Sequence, residues 1–272
     1  MKKVYFTYGL PRAGNTLLGS ILNQNPRINA TANSVLPEAM FALNNIKSYD
    51  VAYNNFPDEA SLDNVLKNLF DSYYRDWDGD FIIERGAWIT PFNFLLLEQY
   101  FQHEIKIVVL VRDVLDVIRS YLHLCECDPD FYINQRYREL DPTTLYKSEV
   151  EEKCDLIMQK GEMVDKMLYS INWLLKSNKR DCLHFVEYEN LMEDPEAEVR
   201  SVYDFYGIDH FNHHFTNLEQ FNVNNMSYND GVPGTALDMH KIRTDEIKDV
   251  PCDIRLPQTV IDRYSNLEFW RC

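Results

Sequence analysis

Residues 9–16 read GLPRAGNT and follow a short apolar run, VYFTY, at residues 4–8. Gly9 and Gly14 stand at the glycine positions of the phosphate-binding turn G-x-x-x-x-G-K-[ST], and Thr16 stands at its hydroxyl position. Asn15 occupies the place of the lysine, and Arg12 lies inside the turn. In a nucleoside triphosphatase that lysine reaches the outer phosphates while the hydroxyl carries magnesium, so catalysis on a triphosphate is hard to arrange without it. Anion binding does not need the lysine, because the N–H groups of a tight turn entering a helix hold an anion unaided. Ala13, Gly14, Asn15, Thr16 and Leu17 can supply those groups. Arg12 adds charge through a planar fork suited to a tetrahedral oxyanion. The turn reads as a site for a short anionic group with no metal.

A second group of this kind sits at residues 106–121, KIVVLVRDVLDVIRSY. Its continuous β-branched run is what a parallel strand buried on both faces shows, and Arg112 falls just past its end. Val114, Val117, Ile118 and Tyr121 then recur at helical spacing, which carries Ser120 two turns on, able to look back toward the strand end.

The elements that must position these residues alternate. Val4–Tyr8 reads as a strand, and Leu17, Leu18, Ile21 and Leu22 mark one face of a helix. FIIERG (81–86) is another short apolar run, LHFVEYENL (183–191) another strand, and Asp194-Pro195 opens a helix that Gly207 closes. A long helical stretch covers about 149–176, with its apolar residues assigned to packing. Strands alternating with helices imply a parallel sheet covered on both sides, with ligands gathered at the carboxyl ends of the strands. The irregular stretch 221–250 is too long for an idle connection and suggests a lid.

A chain of 272 residues with no Pro/Gly/Ser-rich linker or charge block fits one large α/β domain. Hydrophobic residues at 45% and charged residues at 26% are ordinary for a globular protein, and no run nears the roughly 18 apolar residues of a membrane span. No targeting segment is visible, and six irregularly spaced cysteines suit reduced thiols, so a cytoplasmic protein is expected. Cys125 and Cys127 lack a second pair or His-x-x-x-His, and His210, His213 and His214 read as a surface loop, so no metal is expected. A net charge of −16 argues against a nucleic-acid partner, and any anionic ligand must be met by a few placed arginines.

PRAGNTLLGSILNQNP resembles the 5′-phosphosulfate loop and helix of the sulfotransferases that use 3′-phosphoadenosine 5′-phosphosulfate (PAPS), and IVVLVRDVLDVIRSYL resembles their 3′-phosphate signature, with Arg112 and Ser120 on that phosphate. The likeness extends to FIIERGAWITPFNFLLLEQYF, to residues 188–195 and to GTALDMHKIR, so it spans most of the chain. With Pro-Arg in the loop it looks closer to the tyrosylprotein sulfotransferase-like bacterial and viral branch than to the cytosolic branch, whose loop carries a lysine. The resemblance implies a P-loop NTPase-like three-layer α/β fold with a central parallel sheet, 1–272 as one sulfotransferase domain, and 221–250 as a lid over the co-substrate. It implies sulfuryl transfer from PAPS to a hydroxyl of a carbohydrate, phenol or tyrosyl acceptor, with no metal.

Such transfer needs a base for the acceptor's proton and cations for the charge on the leaving phosphate oxygen. By the resemblance Glu38 is the base, Arg12 lies against the group in flight, and Arg85 stands where the family often has a lysine on the leaving group. His240, Lys241 and Arg243 resemble the family's segment that covers the co-substrate, with a solvated basic loop as the other reading, and His240 is the alternative base. A kinase or NTPase with a degenerate loop, and a non-catalytic nucleotide binder, remain the competing readings. Trp77, Trp88 and the tyrosines could line an acceptor pocket or fill the core.

Overall fold

A computed structural model describes residues 2–144, 146–229, 237–242, 245, 247 and 252–271. The chain starts with β1 (Lys3–Gly9), the glycine turn and α1 (Asn15–Leu22), then β2 (Ile28–Ala30). Four helices follow, α2 (Leu36–Tyr49), α3 (Val51–Asn55), α4 (Glu59–Lys67) and α5 (Leu69–Tyr73). Next come β3 (Phe81–Arg85), α6 (Pro91–Tyr100), β4 (Ile107–Val111), α7 (Val114–Cys127) and α8 (Tyr132–Arg138). The chain continues through α9 (Glu149–Ile157), α10 (Met163–Lys176), β5 (Leu183–Glu187), α11 (Tyr188–Glu193) and α12 (Pro195–Tyr206). A short hairpin of β6 (Asn222–Val223) and β7 (Met226–Ser227) precedes α13 (Gln258–Tyr264).

Among the described residues β1 to β5 form one parallel sheet in the order β2-β3-β1-β4-β5. All five residues of β4 are buried, so both faces of the sheet are covered there. The fold is α/β and P-loop NTPase-like, as the sequence led us to expect. Because β1 lies at the centre, the glycine turn leaves the sheet between the ends of β3 and β4, where the strand order reverses. Arg85 ends β3 and Arg112 follows β4, so sheet topology brings both to the turn. No helix among the described residues is long and apolar enough to cross a membrane.

Two local expectations need correction. The helical stretch 149–176 is two helices, because Gly161 takes a left-handed φ of 87° between them and its N–H donates to the Asp165 carboxylate at 2.7 Å. The strand expected over 183–191 stops at Glu187: its ladder partner β4 ends at Val111, opposite Glu187, and α11 begins at Tyr188. Of the two readings open for Trp88, pocket or core, the core holds. Trp88 is fully buried, packed edge-on against Phe6 with centroids 5.8 Å apart, and its indole N–H donates to Glu84. Asp194 does cap α12 from the Ala197 N–H at 3.0 Å, and Gly207 ends it with φ 69°.

Candidate active site

The glycine turn is tied down before it meets any ligand. Leu10 N–H donates to Leu110 O across the sheet at 2.9 Å, and the Asn15 side-chain amide donates back to Leu10 O at 2.8 Å. The residue in the lysine position thus closes the turn instead of reaching outward. Arg12 and Gly14 have left-handed φ values of 64° and 82°, and such a reversal turns successive N–H groups toward one concavity. The first helical bond runs from Leu18 N–H to Gly14 O at 2.9 Å, and no side chain caps α1. The N–H groups of its first turn therefore face the site with the positive end of the helix behind them.

Cations flank the turn on two sides. The Arg12 Nε donates to Ser120 Oγ at 3.0 Å and its Nη1 to Met239 O at 2.9 Å. Arg112 donates to Arg12 O at 3.1 Å and stacks on the Tyr188 ring, its guanidinium carbon 4.0 Å from the ring centre. Arg12, Arg112 and Ser120 form one cluster, with Asp113 beside it capping α7 from the Asp116 N–H at 3.1 Å. Arg85 stands on the other side. Its Nη1 donates to Ala32 O at 2.9 Å and reaches Thr16 Oγ1 at 3.5 Å, and among the described residues no carboxylate pairs with it. Burial pulls its guanidinium below the ordinary value, with the Tyr8 and Tyr228 phenols opposing that shift.

Glu38 lies in the first turn of α2 and is exposed, lining a cleft of about 450 Å³ with Tyr8, Asn33, Ser34, Val35 and Ala87. Burial raises the Tyr8 phenol above its usual value, Arg85 opposes this, and Glu38 and Tyr228 add to it, so all four groups share one electrostatic neighbourhood. Tyr228 in turn stacks on His240 with centroids 3.7 Å apart. Of the two expected bases, Glu38 belongs to this neighbourhood directly and His240 joins it through Tyr228. Lys241 is exposed, and Arg243 lies outside the described residues.

Three residues that sequence reasoning missed stand here. Tyr8 had no signal beyond being aromatic at a strand end, and Tyr188 had none beyond opening the 188–195 stretch of the likeness. Glu84 did have one, a carboxylate inside the apolar run FIIERG. It is fully buried behind the cleft, and burial pushes its carboxyl up to about 8, against the Ser34 and Trp88 hydrogen bonds and with the charge of Glu38 adding to the shift. Two of the three clustered histidines have side-chain partners: His210 pairs with Asp204 at 2.7 Å and His213 with the Tyr203 hydroxyl at 2.9 Å.

No curated protein sequence matches the chain. Among solved structures, the sulfotransferase domain from the curacin biosynthetic pathway is 14% identical over 97% of each chain, with a TM-score of 0.59. The sulfotransferase domain of the olefin synthase of Synechococcus PCC 7002 is 18% identical over 78% of this chain and 74% of that one, with a TM-score of 0.48. A sulfotransferase from Alicyclobacillus acidocaldarius is 15% identical over 77% and 82%, also at 0.48. The first of these shares the fold across nearly the whole chain. The family model for the sulfotransferase domain matches residues 87–247, which include Arg112, Ser120, Tyr188 and His240. The chain belongs to the sulfotransferase domain family.

Proposed function

We propose that the protein moves a sulfuryl group from PAPS to the hydroxyl of an acceptor, and that its loop arginine places it with the tyrosylprotein sulfotransferase-like bacterial and viral branch. One observation carries the reading: guanidinium groups from three sequence-distant segments meet around a glycine turn whose lysine position is used to close the turn. The donor set suits PAPS, which presents two separate anionic ends. Arg112, Ser120 and Arg12 form the cluster for the 3′-phosphate. The first turn of α1, Thr16 and Arg85 serve the 5′-phosphosulfate. When bound, PAPS supplies an activated sulfuryl group whose departure leaves charge on the 5′-phosphate oxygen. Arg85 and the N–H groups of the turn stabilise that charge, Glu38 takes the acceptor's proton, and residues 237–242 cover the nucleotide through Met239 and His240.

Calorimetry with 3′-phosphoadenosine 5′-phosphate (PAP), AMP and ATP, each with and without magnesium, tests the assignment. PAP should bind more tightly than AMP by on the order of 1.5–3 kcal/mol, a charge-assisted contact that Arg112→Ala removes. Chelator should leave PAP binding intact. Equal affinities for PAP and AMP, or tight ATP binding that requires magnesium, would transfer the protein to the kinase reading.

A further inference from the structure

The acceptor side of the cleft has a chemical character of its own. Val35, Glu38 and Phe41 follow one another at intervals of three at the start of α2, so the Glu38 carboxylate stands on a ridge between two apolar side chains. Phe41 meets Phe92 of α6 edge to face with centroids 5.0 Å apart, and Leu95 lies on the same face of α6 as Phe92, three residues on. Val35, Phe41, Phe92 and Leu95 are 55%, 43%, 47% and 52% exposed. Four large apolar groups left in water along two helices that pack together, starting at the cleft, are a costly surface unless something lies on them.

Charge narrows what that something is. The charged groups near the ridge are taken: Lys47, two turns on along α2, pairs with Asp63, and Glu98 of α6 pairs with Lys179. Among the described residues that line the cleft Glu38 is the one charged group, and Arg85 is turned toward Thr16 and Ala32. A sulfated or carboxylated glycan would meet the Glu38 carboxylate first, while the nearest described cation, Arg85, is held on Ala32 and Thr16. A neutral polyhydroxyl chain leaving the cleft along these side chains would meet the aromatic and aliphatic carbon of Phe41, Phe92 and Leu95.

On the basis of the sulfuryl-transfer reading above, we propose that the acceptor is an uncharged alcohol with a long apolar body, which lies along the Val35–Phe41–Phe92–Leu95 ridge while its hydroxyl reaches Glu38. The acceptor oxygen forms a bond to sulfur as the bond from sulfur to the 5′-phosphate oxygen breaks. The electron pair leaves with PAP, and the hydroxyl proton passes to the Glu38 carboxylate. The products are the sulfate monoester and PAP. The ridge selects the acceptor and takes no part in the bond changes.

The test uses the full chain, PAPS and a series of 4-alkylbenzyl alcohols from methyl to hexyl, whose hydroxyl acidity is nearly constant while the apolar length grows. Release of PAP is followed, and kcat/KM should rise by up to about fourfold per added methylene until the ridge is covered. Phe41→Ser and Phe92→Ser should flatten that rise while PAP affinity by calorimetry stays at the wild-type value. A flat series in the wild-type protein, faster turnover of a sulfated oligosaccharide, or no turnover of any alcohol in the series by a protein that binds PAP would overturn the proposal. So would a dimer in sedimentation that Phe41→Ser dissolves, because the ridge would then be covered by a second copy. Failure to bind PAP at all would instead sink the sulfuryl-transfer reading beneath it.

Discussion

Arg12 and Arg85 carry the same charge beside the same turn, yet they face different ends of the ligand proposed here. Arg12 is drawn to Ser120 and Met239, away from the start of α1, whereas Arg85 leans on Thr16. The sequence alone had set Arg12 against the group in flight. With the geometry in hand, Arg12→Ala should narrow the preference for PAP over AMP, and Arg85→Ala should cost turnover while leaving that preference standing. Steady-state kinetics beside calorimetry separates the two, and the reverse pattern would restore the first assignment. Glu38→Gln should keep PAP affinity and lower turnover by roughly 10²–10⁴, the range for losing a positioned general base. An unaltered rate would pass the role to His240. Glu84 calls for a different measurement. Its folded value of about 8 lies above an unfolded carboxyl near 4.5, so its contribution to stability is complete in acid and is lost as pH rises through 8. Glu84→Gln keeps an acceptor for the Trp88 N–H and removes the titration. The variant should gain on the wild type between about pH 5 and 8 and then level off, by at most about 5 kcal/mol. Denaturant melts at pH 5, 7 and 9 would show this, and a difference independent of pH would mean that Glu84 is already ionised in the fold.

The junction of β1 with the turn depends on what is missing from it. A Cβ on Gly9 would stand 2.1 Å from the Leu110 carbonyl oxygen, and a backbone atom in the middle of a sheet cannot step aside. Gly9→Ala should therefore force β1 and β4 apart and cost about 3 kcal/mol or more, at the upper end of overpacking. A thermal melt within a degree or two of the wild type would show that the strands part there without cost. At this scale much was readable in advance. Apolar runs announced β1, β3 and β4, and the cap Asp194 and stop Gly207 announced α12, because each is fixed by neighbours in sequence. What escaped depends on distant partners. β2 is three residues long and exists because β3 pairs with it, and β5 ends where β4 runs out. The β6–β7 hairpin turns on Asn224 and Asn225, both at positive φ, a signal present in NVNNMS but hidden inside a stretch read as irregular. The site divides in the same way. The turn, Arg112 and Ser120 lie in local motifs, whereas Tyr8, Glu84 and Tyr188 became functional candidates once folding had set them against Glu38, Trp88 and Arg112.

Across the whole molecule, a net charge of −16 repels the anionic nucleotide proposed here until it reaches the arginines. Retention must then come from short-range contacts, and part of it from the distant end of the chain folded over the turn. Met239 O accepts from Arg12, and His240 stacks on Tyr228. The Gln220 side chain holds this segment in place from outside: its amide donates to Ile242 O at 2.8 Å and its oxygen accepts from Ile242 N–H at 3.1 Å, as a strand neighbour would. Gln220 is exposed, and its side-chain hydrogen bonds among the described residues go to Ile242, which makes it a lever on the cover. Two neutral hydrogen bonds are worth about 1 kcal/mol each, so Gln220→Ala should speed PAP dissociation by up to about tenfold to thirtyfold. The association rate, set by charge and by access to the arginines, should hardly move, since most changes at a binding site appear in the off-rate. Stopped-flow mixing with a fluorescent PAP analogue and a thermal melt of the free protein measure both sides. A dissociation rate equal to the wild type, with the melt unchanged, would mean that residues 237–242 rest on Arg12 without closing over what it binds.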